Sequence, residues 1–172
     1  YVTTALNERL ALDAVYGLQS VSFDTTRYLT SGGGFATGSR DGDTSVLSVG
    51  VHGTLPEGSS TWTPYARLDQ TKIDLDAYAE SGNSVFLLGY GAASQTSTAT
   101  LLGLRWDRAM GAARTSIRPM VRVEWRHRVS GSYDQSMWYR DIPAMRYTLT
   151  SRSDGNDALS AGAGVKIGRA HV

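Results

Sequence analysis

From Ile117 to Val129 the chain alternates. Ile117, Pro119, Val121, Val123, Trp125, His127 and Val129 fall on odd positions; Arg118, Met120, Arg122, Glu124, Arg126 and Arg128 fall on even ones. A period of two separates an apolar set from a charged set, and that is the period of a β-strand. A helix would spread the same charges around its circumference. Pro119 also argues against a helix interior, because it lacks an N–H and clashes with the preceding turn. The alternation lasts roughly a dozen residues, against about five or six in a typical soluble strand and 9–11 in a tilted strand that crosses a bilayer. Two arrangements give this string. In one, the apolar set touches lipid and the charged set lines a water-filled lumen. In the other, the apolar set is the core of a soluble sandwich or barrel and the arginines meet bulk water.

The same periodicity predicts strands over Leu10 to Phe23, Phe35 to Ser39, Ser45 to Leu55, Trp62 to Tyr78, Val85 to Ala93, Thr98 to Asp107, Trp138 to Thr150 and Leu159 to Val165. Between them lie turn and loop signals: Asp24 to Gly34, ending in Ser31 to Gly34, Arg40-Asp41-Gly42-Asp43, Pro56 to Ser60, Glu80-Ser81-Gly82-Asn83, a loop over Ser130 to Ser136, and Ser153 to Asp157. On the Trp62 stretch, Tyr65, Ile73 and Leu75 share a face with Arg67 and Asp69; the polar members are expected on the outside, where a long strand protrudes beyond the bilayer. The fold class expected is all-β, an antiparallel up-and-down meander of about eight or nine strands, with no amphipathic helix. Trp62, Tyr65, Tyr78, Trp106, Trp138 and Tyr139 sit near strand ends, where an interfacial aromatic girdle is expected of a membrane barrel.

Composition narrows the reading only in places. The chain has 172 residues, enough for one domain with a sizeable core. Lys and Arg number 17, Asp and Glu 16, so a net charge of +1 gives no electrostatic case for nucleic acid. No apolar run approaches the 18 residues of a transmembrane helix, which leaves a β-barrel open because barrel strands alternate. There are no cysteines, hence no disulfides or thiolate metal sites. Nineteen glycines against four prolines suit a chain of many turns. No signal peptide opens the chain, so an exported protein is expected to begin before Tyr1. The last residues, Ile167-Gly168-Arg169-Ala170-His171-Val172, look like a translated sequencing adapter. Residues 1–166 are therefore expected to form the barrel domain, and 167–172 a tail outside the fold.

Several short motifs resemble the autotransporter β-domain, the translocator barrel of type V secretion. Pro64-Tyr65, then Tyr78, then Glu80-Ser81-Gly82, is similar to the family's PY … E-x-G stretch. Gly103, then Pro119, Trp125 and His127, is similar to its lG … P … W-x-H stretch. Order and separation match from about Leu10 to Lys166. The resemblance implies an outer-membrane barrel of Gram-negative bacteria that anchors an N-terminal passenger and helps it across, assembled by the barrel-assembly machinery. Such a barrel has about twelve strands, so the chain is expected to be its middle part, cut at both ends. The implied faces are lumen for Arg118, Arg122, Glu124, Arg126 and Arg128, and lipid for Ile117, Val121, Val123 and Trp125. Alternatives are a porin-like or adhesin-like barrel and a soluble β-sandwich binding module.

No catalytic chemistry is expected. His52, His127 and His171 are not spaced as metal ligands, and there is no H-E-x-x-H, G-x-S-x-G or complete G-x-G-x-x-G. No cofactor and no metal are expected. His127 reads as a packing or interface residue.

Overall fold

The computed structural model describes residues 1–31, 33–112, 115–129, 131–153 and 155–169. Among these residues there are strands and turns but no helix. The strands are β1 (Val2–Asn7), β2 (Leu10–Tyr28), β3 (Phe35–Gly53), β4 (Leu55–Glu57), β5 (Ser60–Leu75), β6 (Tyr78–Ala79), β7 (Leu88–Tyr90), β8 (Ala93–Arg108), β9 (Met110–Ala112), β10 (Thr115–Val129), β11 (Gly131–Tyr139), β12 (Arg146–Ser153) and β13 (Asp157–Arg169). They form two sheets. The large one runs β1-β2-β3-β5-β8-β10-β13, with β4 turning back on β5 and β9 on β10; the small one runs β12-β11-β7-β6. Every pairing is antiparallel. The large sheet is a curled half-barrel whose path ends at β1 and β13, so the expected open meander is what forms.

Several expected breaks are absent. β2 runs on through Asp24 to Tyr28, the first half of the expected loop, because its backbone pairs there with Phe35 to Ser39. β3 is one strand of 19 residues, paired along its whole length with β2. The Arg40–Asp43 stretch is therefore mid-strand. Its glycine serves close approach: a Cβ on Gly42 would come within 2.6 Å of the Asp74 carbonyl oxygen. The expected loop after Val129 is strand β11, and the expected strand over Trp138 to Thr150 is interrupted at 140–145 between β11 and β12. β7 is shorter than the Val85 to Ala93 strand predicted. The expected tail begins within β13. Ile167, Gly168 and Arg169 continue β13 and pair with Ile117, Ser116 and Thr115, because ladder hydrogen bonds use the backbone and accept almost any side chain. Gly32, Ser130, Asp154 and residues 170–172, which figure in the expected loops and tail, lie outside the described residues.

Register fixes the faces. One row reads Leu12, Val51, Ala66, Leu102, Trp125, Leu159 across β2, β3, β5, β8, β10 and β13. Around this row lies a continuous apolar band. Above it, the last apolar residue on the same face is Leu18 on β2, Leu47 on β3, Leu68 on β5 and Leu102 on β8; below it the band reaches Leu10, Trp62, Trp106, Ile117 and Ile167. Both edges slip by about six residues over the five strand-to-strand steps. At about 3.3 Å per residue and about 4.8 Å per step that is a slope of about 40°. A band level with a bilayer on tilted strands has this form, since closing a barrel requires a tilt of about 35–45°.

The two ends of the sheet differ. At one end the chain reverses in tight turns at Glu8-Arg9 and Gly58-Ser59. At the other it makes longer excursions over Leu29 to Gly34, 76–92 and 130–156. The two longest carry the small sheet, which sits against the wall at that end. There Leu29, Ala36 and Leu87 form a small buried apolar cluster.

Candidate functional site

On β10 the charged residues share the face opposite the band. Arg122 lies beside Arg105 and Gly162, Glu124 beside Gly103 and Ser160, and Arg126 beside Leu101 and Ala158. Arg118 pairs with Lys166, and Arg128 with Ala99. The Tyr65 hydroxyl on β5 donates to Glu124 Oε2 on β10 at 2.8 Å, passing over the intervening strand β8. A side-chain bond can span a whole strand this way on the concave side of a curved sheet. Gly103 makes the passage possible, because a Cβ there would overlap the Tyr65 ring. Of the motif residues that gave the family resemblance, Tyr65 and Gly103 thus meet in one contact.

The concave face holds a polar trough of about 470 Å³ lined by Tyr65, Arg67, Arg105, Met120, Arg122 and Glu124, among others. Its charges are partly matched. Arg105 and Arg118 each stand 3.7 Å from the buried carboxylate of Asp107, and Arg67 lies 3.0 Å from Asp69, which also accepts from Ser48 at 2.7 Å. A neighbouring hollow of about 330 Å³ contains Asp13 2.7 Å from His52. Among the described residues Arg122, Arg126 and Arg128 join no ion pair. The trough is thus net basic along β10.

On the convex face Ile117, Val121, Val123 and Trp125 are 41, 43, 45 and 38% exposed. They point away from the small sheet, not into a packed interior. Pro64, Pro119 and His127 share their face. Trp125 and His127 stack with centroids 5.7 Å apart, and His127 Nδ1 lies 2.8 Å from Asp157 Oδ1 at the upper edge of the band.

Four of the aromatic expectations need correction. Trp138 and Tyr139 lie on β11 of the small sheet, paired with Gly89 and Leu88. Tyr65 and Tyr78 are not girdle residues. Tyr65 shares the concave face with Arg67 and Asp69, so this polar set on β5 faces inward, and Trp62, Pro64, Ala66 and Leu68 face outward. Strand parity alone left open which set was outermost. Tyr78 stacks on Tyr90 at 4.7 Å in the small sheet and packs over Gly38. Trp62 and Trp106 do lie side by side on the convex face, centroids 6.3 Å apart.

The small sheet is latched to the concave face by Glu80, a motif residue, and by Arg27, Arg40 and Gln135, which motif reading missed. Arg27 on β2 meets Glu80 in a two-pronged contact at 2.9 and 2.6 Å. Glu80 is only 4% exposed and also accepts from the Leu88 N–H at 2.8 Å. Burial by itself raises the Glu80 carboxyl, but the hydrogen bonds from Arg27 and Leu88, with the Arg27 charge, outweigh it and hold the group below the usual carboxylate range. Arg40 on β3 donates to the Asp76 carbonyl at 2.7 Å, the Gln135 side chain at 2.9 Å and the Gly91 carbonyl at 3.0 Å, and lies over the Tyr78 ring. Gln135, 5% exposed, donates back to the Gly91 and Ser136 carbonyls and accepts from Tyr133. The signal was present: Arg27 and Arg40 have the parity of the inner face, on extensions of β2 and β3 that turn-like residues concealed.

No curated protein matches this sequence. Among solved structures, the outer membrane transporter YddB from Escherichia coli matches over 98% of this chain, at 11% identity and a TM-score of 0.31; the chain spans 31% of that protein's length. The β-domain of the Bordetella autotransporter Brka is similar over 91% of this chain and 94% of its own, at 14% identity and a TM-score of 0.17. The family model of the autotransporter β-domain matches residues 1–171. That family consists of translocator barrels, not enzymes, and its place is the bacterial outer membrane. This chain, with its curled antiparallel wall, belongs to the autotransporter β-domain family.

Proposed function

We propose that the chain is wall from a barrel that anchors an N-terminal passenger and helps carry it through the outer membrane. Ile117, Val121, Val123 and Trp125 face lipid, and Arg118, Arg122, Glu124, Arg126 and Arg128 line the lumen. The observation that carries this reading is the oblique apolar band on the convex face, with the basic trough directly behind it. Lipid leaves backbone groups no water, so the wall has to satisfy its hydrogen bonds within the sheet. It accepts uncharged side chains and penalises an Arg or Lys at the midplane by about 2–4 kcal/mol. A sandwich would require a second layer over Val121, Val123 and Trp125, whereas the small sheet lies on the other side. By the rule that outer-membrane barrels have short periplasmic turns and longer outer loops, the tight turns face the periplasm and the small sheet faces outward. The passenger and the barrel-assembly machinery are the protein partners this function needs.

The absence of cysteine makes a direct test available. Single cysteines are placed at Val123 and Arg122 in the protein that carries this chain, in membranes. The Val123 probe should be quenched from the lipid phase, and the Arg122 probe should react with an aqueous thiol reagent. On intact cells, Val123→Arg should abolish protease-accessible passenger while Arg122→Val leaves most of it. Equal behaviour of the two positions would overturn the assignment.

A further inference from the structure

Below the apolar band, at the tight-turn end, the convex face carries an acid and a base. Trp62 and Trp106 are register partners there. Two register pairs further out stand Glu57, Ser60 and Arg108, joined by the pairs Glu57–Ser60 and Ser60–Arg108 on β4, β5 and β8. Alternation gives Glu57 and Arg108 the same outward parity as the indoles, and both are exposed. Trp62 Nε1 donates to Glu57 Oε2 at 3.1 Å, which holds the carboxylate beside the indoles. Arg108 Nε donates to Ser59 Oγ at 3.2 Å. Among the described residues Arg108 joins no ion pair, so its outer nitrogens have no acidic partner. Acid and base thus share one face, two strand spacings or about 9–10 Å apart along the backbone, without neutralising each other.

We infer that this patch binds the zwitterionic headgroup of an amine-bearing phospholipid, with the phosphate on Arg108 and the ammonium on Glu57. The inference rests on the lipid-facing reading above and adds a headgroup chemistry to it. A guanidinium offers a phosphate two parallel N–H donors. A primary ammonium offers the carboxylate N–H donors and the neighbouring indoles a cation. A purely anionic headgroup meets repulsion from Glu57, and a choline headgroup has no N–H to give it. The patch also lies just beyond the apolar edge, the depth of headgroups and of interfacial aromatics, so acyl chains can run along Trp62 and Trp106 onto Pro64 and Leu104.

The test uses the full chain, refolded in detergent with phosphatidylethanolamine and phosphatidylcholine in competition and read by native mass spectrometry. The chain should retain phosphatidylethanolamine about three- to fivefold over phosphatidylcholine, the size of one partly screened charge contact. Arg108→Gln should lose retention of both lipids, and Glu57→Gln should retain both equally. Circular dichroism of each variant checks that the sheet persists. The inference fails if either variant keeps the original pattern, if phosphatidylglycerol displaces phosphatidylethanolamine, or if soluble glycerophosphoethanolamine competes as well as the lipid. The Val123 cysteine separates the two levels. Lipid-phase quenching there with no headgroup preference sinks the headgroup assignment alone; no quenching sinks the lipid-facing reading and this inference with it.

Discussion

The convex band and the latch at the outward end are stabilised in opposite ways. The band is apolar, exposed and repetitive; row after row repeats Leu, Val, Ala and Trp, and no single side chain is decisive. The latch is polar, buried and singular: Arg27 on Glu80, Arg40 on Gln135, with few apolar contacts beyond Leu29, Ala36 and Leu87. A band gains by being uncharged everywhere, because its solvent is hydrocarbon. A latch gains only when each buried donor meets its acceptor, since an unpartnered buried polar group costs about 1–3 kcal/mol. The first should tolerate many substitutions of like polarity, and the second almost none.

Four experiments sharpen or break that contrast. The largest effect is expected for Val123→Arg near the middle of the band, about 2–4 kcal/mol against folding into vesicles; Val123→Leu should be near neutral, and equal losses would remove the distinction. Next comes Arg40→Ala. It strips partners from the Asp76 and Gly91 carbonyls and from Gln135, and should free the small sheet by about 2–3 kcal/mol. Faster amide exchange over Gly131–Tyr139, with β10 unchanged, is the expected record. Gly103→Ala should cost about 1–3 kcal/mol by overpacking, because the new methyl displaces the Tyr65 ring and breaks its bond to Glu124. Tyr65→Ala in the same chain should recover the overpacking part, measurable as urea stability in micelles. The smallest effect is expected from acid. The Glu80 carboxyl is held below its unfolded value, so its stabilisation is present above about pH 4.3 and fades as pH falls through the lower folded value. Exchange over Leu88–Tyr90, corrected for intrinsic rate, should quicken at low pH and lose that dependence in Glu80→Gln. The band, having no titratable group between Leu12 and Leu159 in its central row, should not respond.

Much of the wall was legible. The alternation from Ile117 to Val129 divided β10 into an apolar and a charged face, and the same parity fits β13, β8 and the first half of β2. Reading failed where turn chemistry appeared inside a strand. Asp41-Gly42 looked like a hairpin because the residues that make tight turns also allow close backbone approach, and a string does not tell these uses apart. It failed again at β11, which pairs with β7 from another loop in a sheet packed on the wall, so no clean alternation results. Glu80 was singled out by resemblance, but its partner Arg27 lies 53 residues earlier. Nothing local connects them.

The sequence by itself determined the strand period, the all-β class and the division of each long strand into an apolar and a polar side. These depend only on neighbours two residues apart, and the pleat imposes that spacing on every strand. The three-dimensional arrangement decided the rest. It set the register that turns separate apolar runs into one oblique band and the curvature that carries Tyr65 over Gly103 to Glu124. It also folded two loops onto the inner face. Each of these needs residues from strands far apart in the chain to meet, and pairing across a sheet is settled by the whole set of strands together.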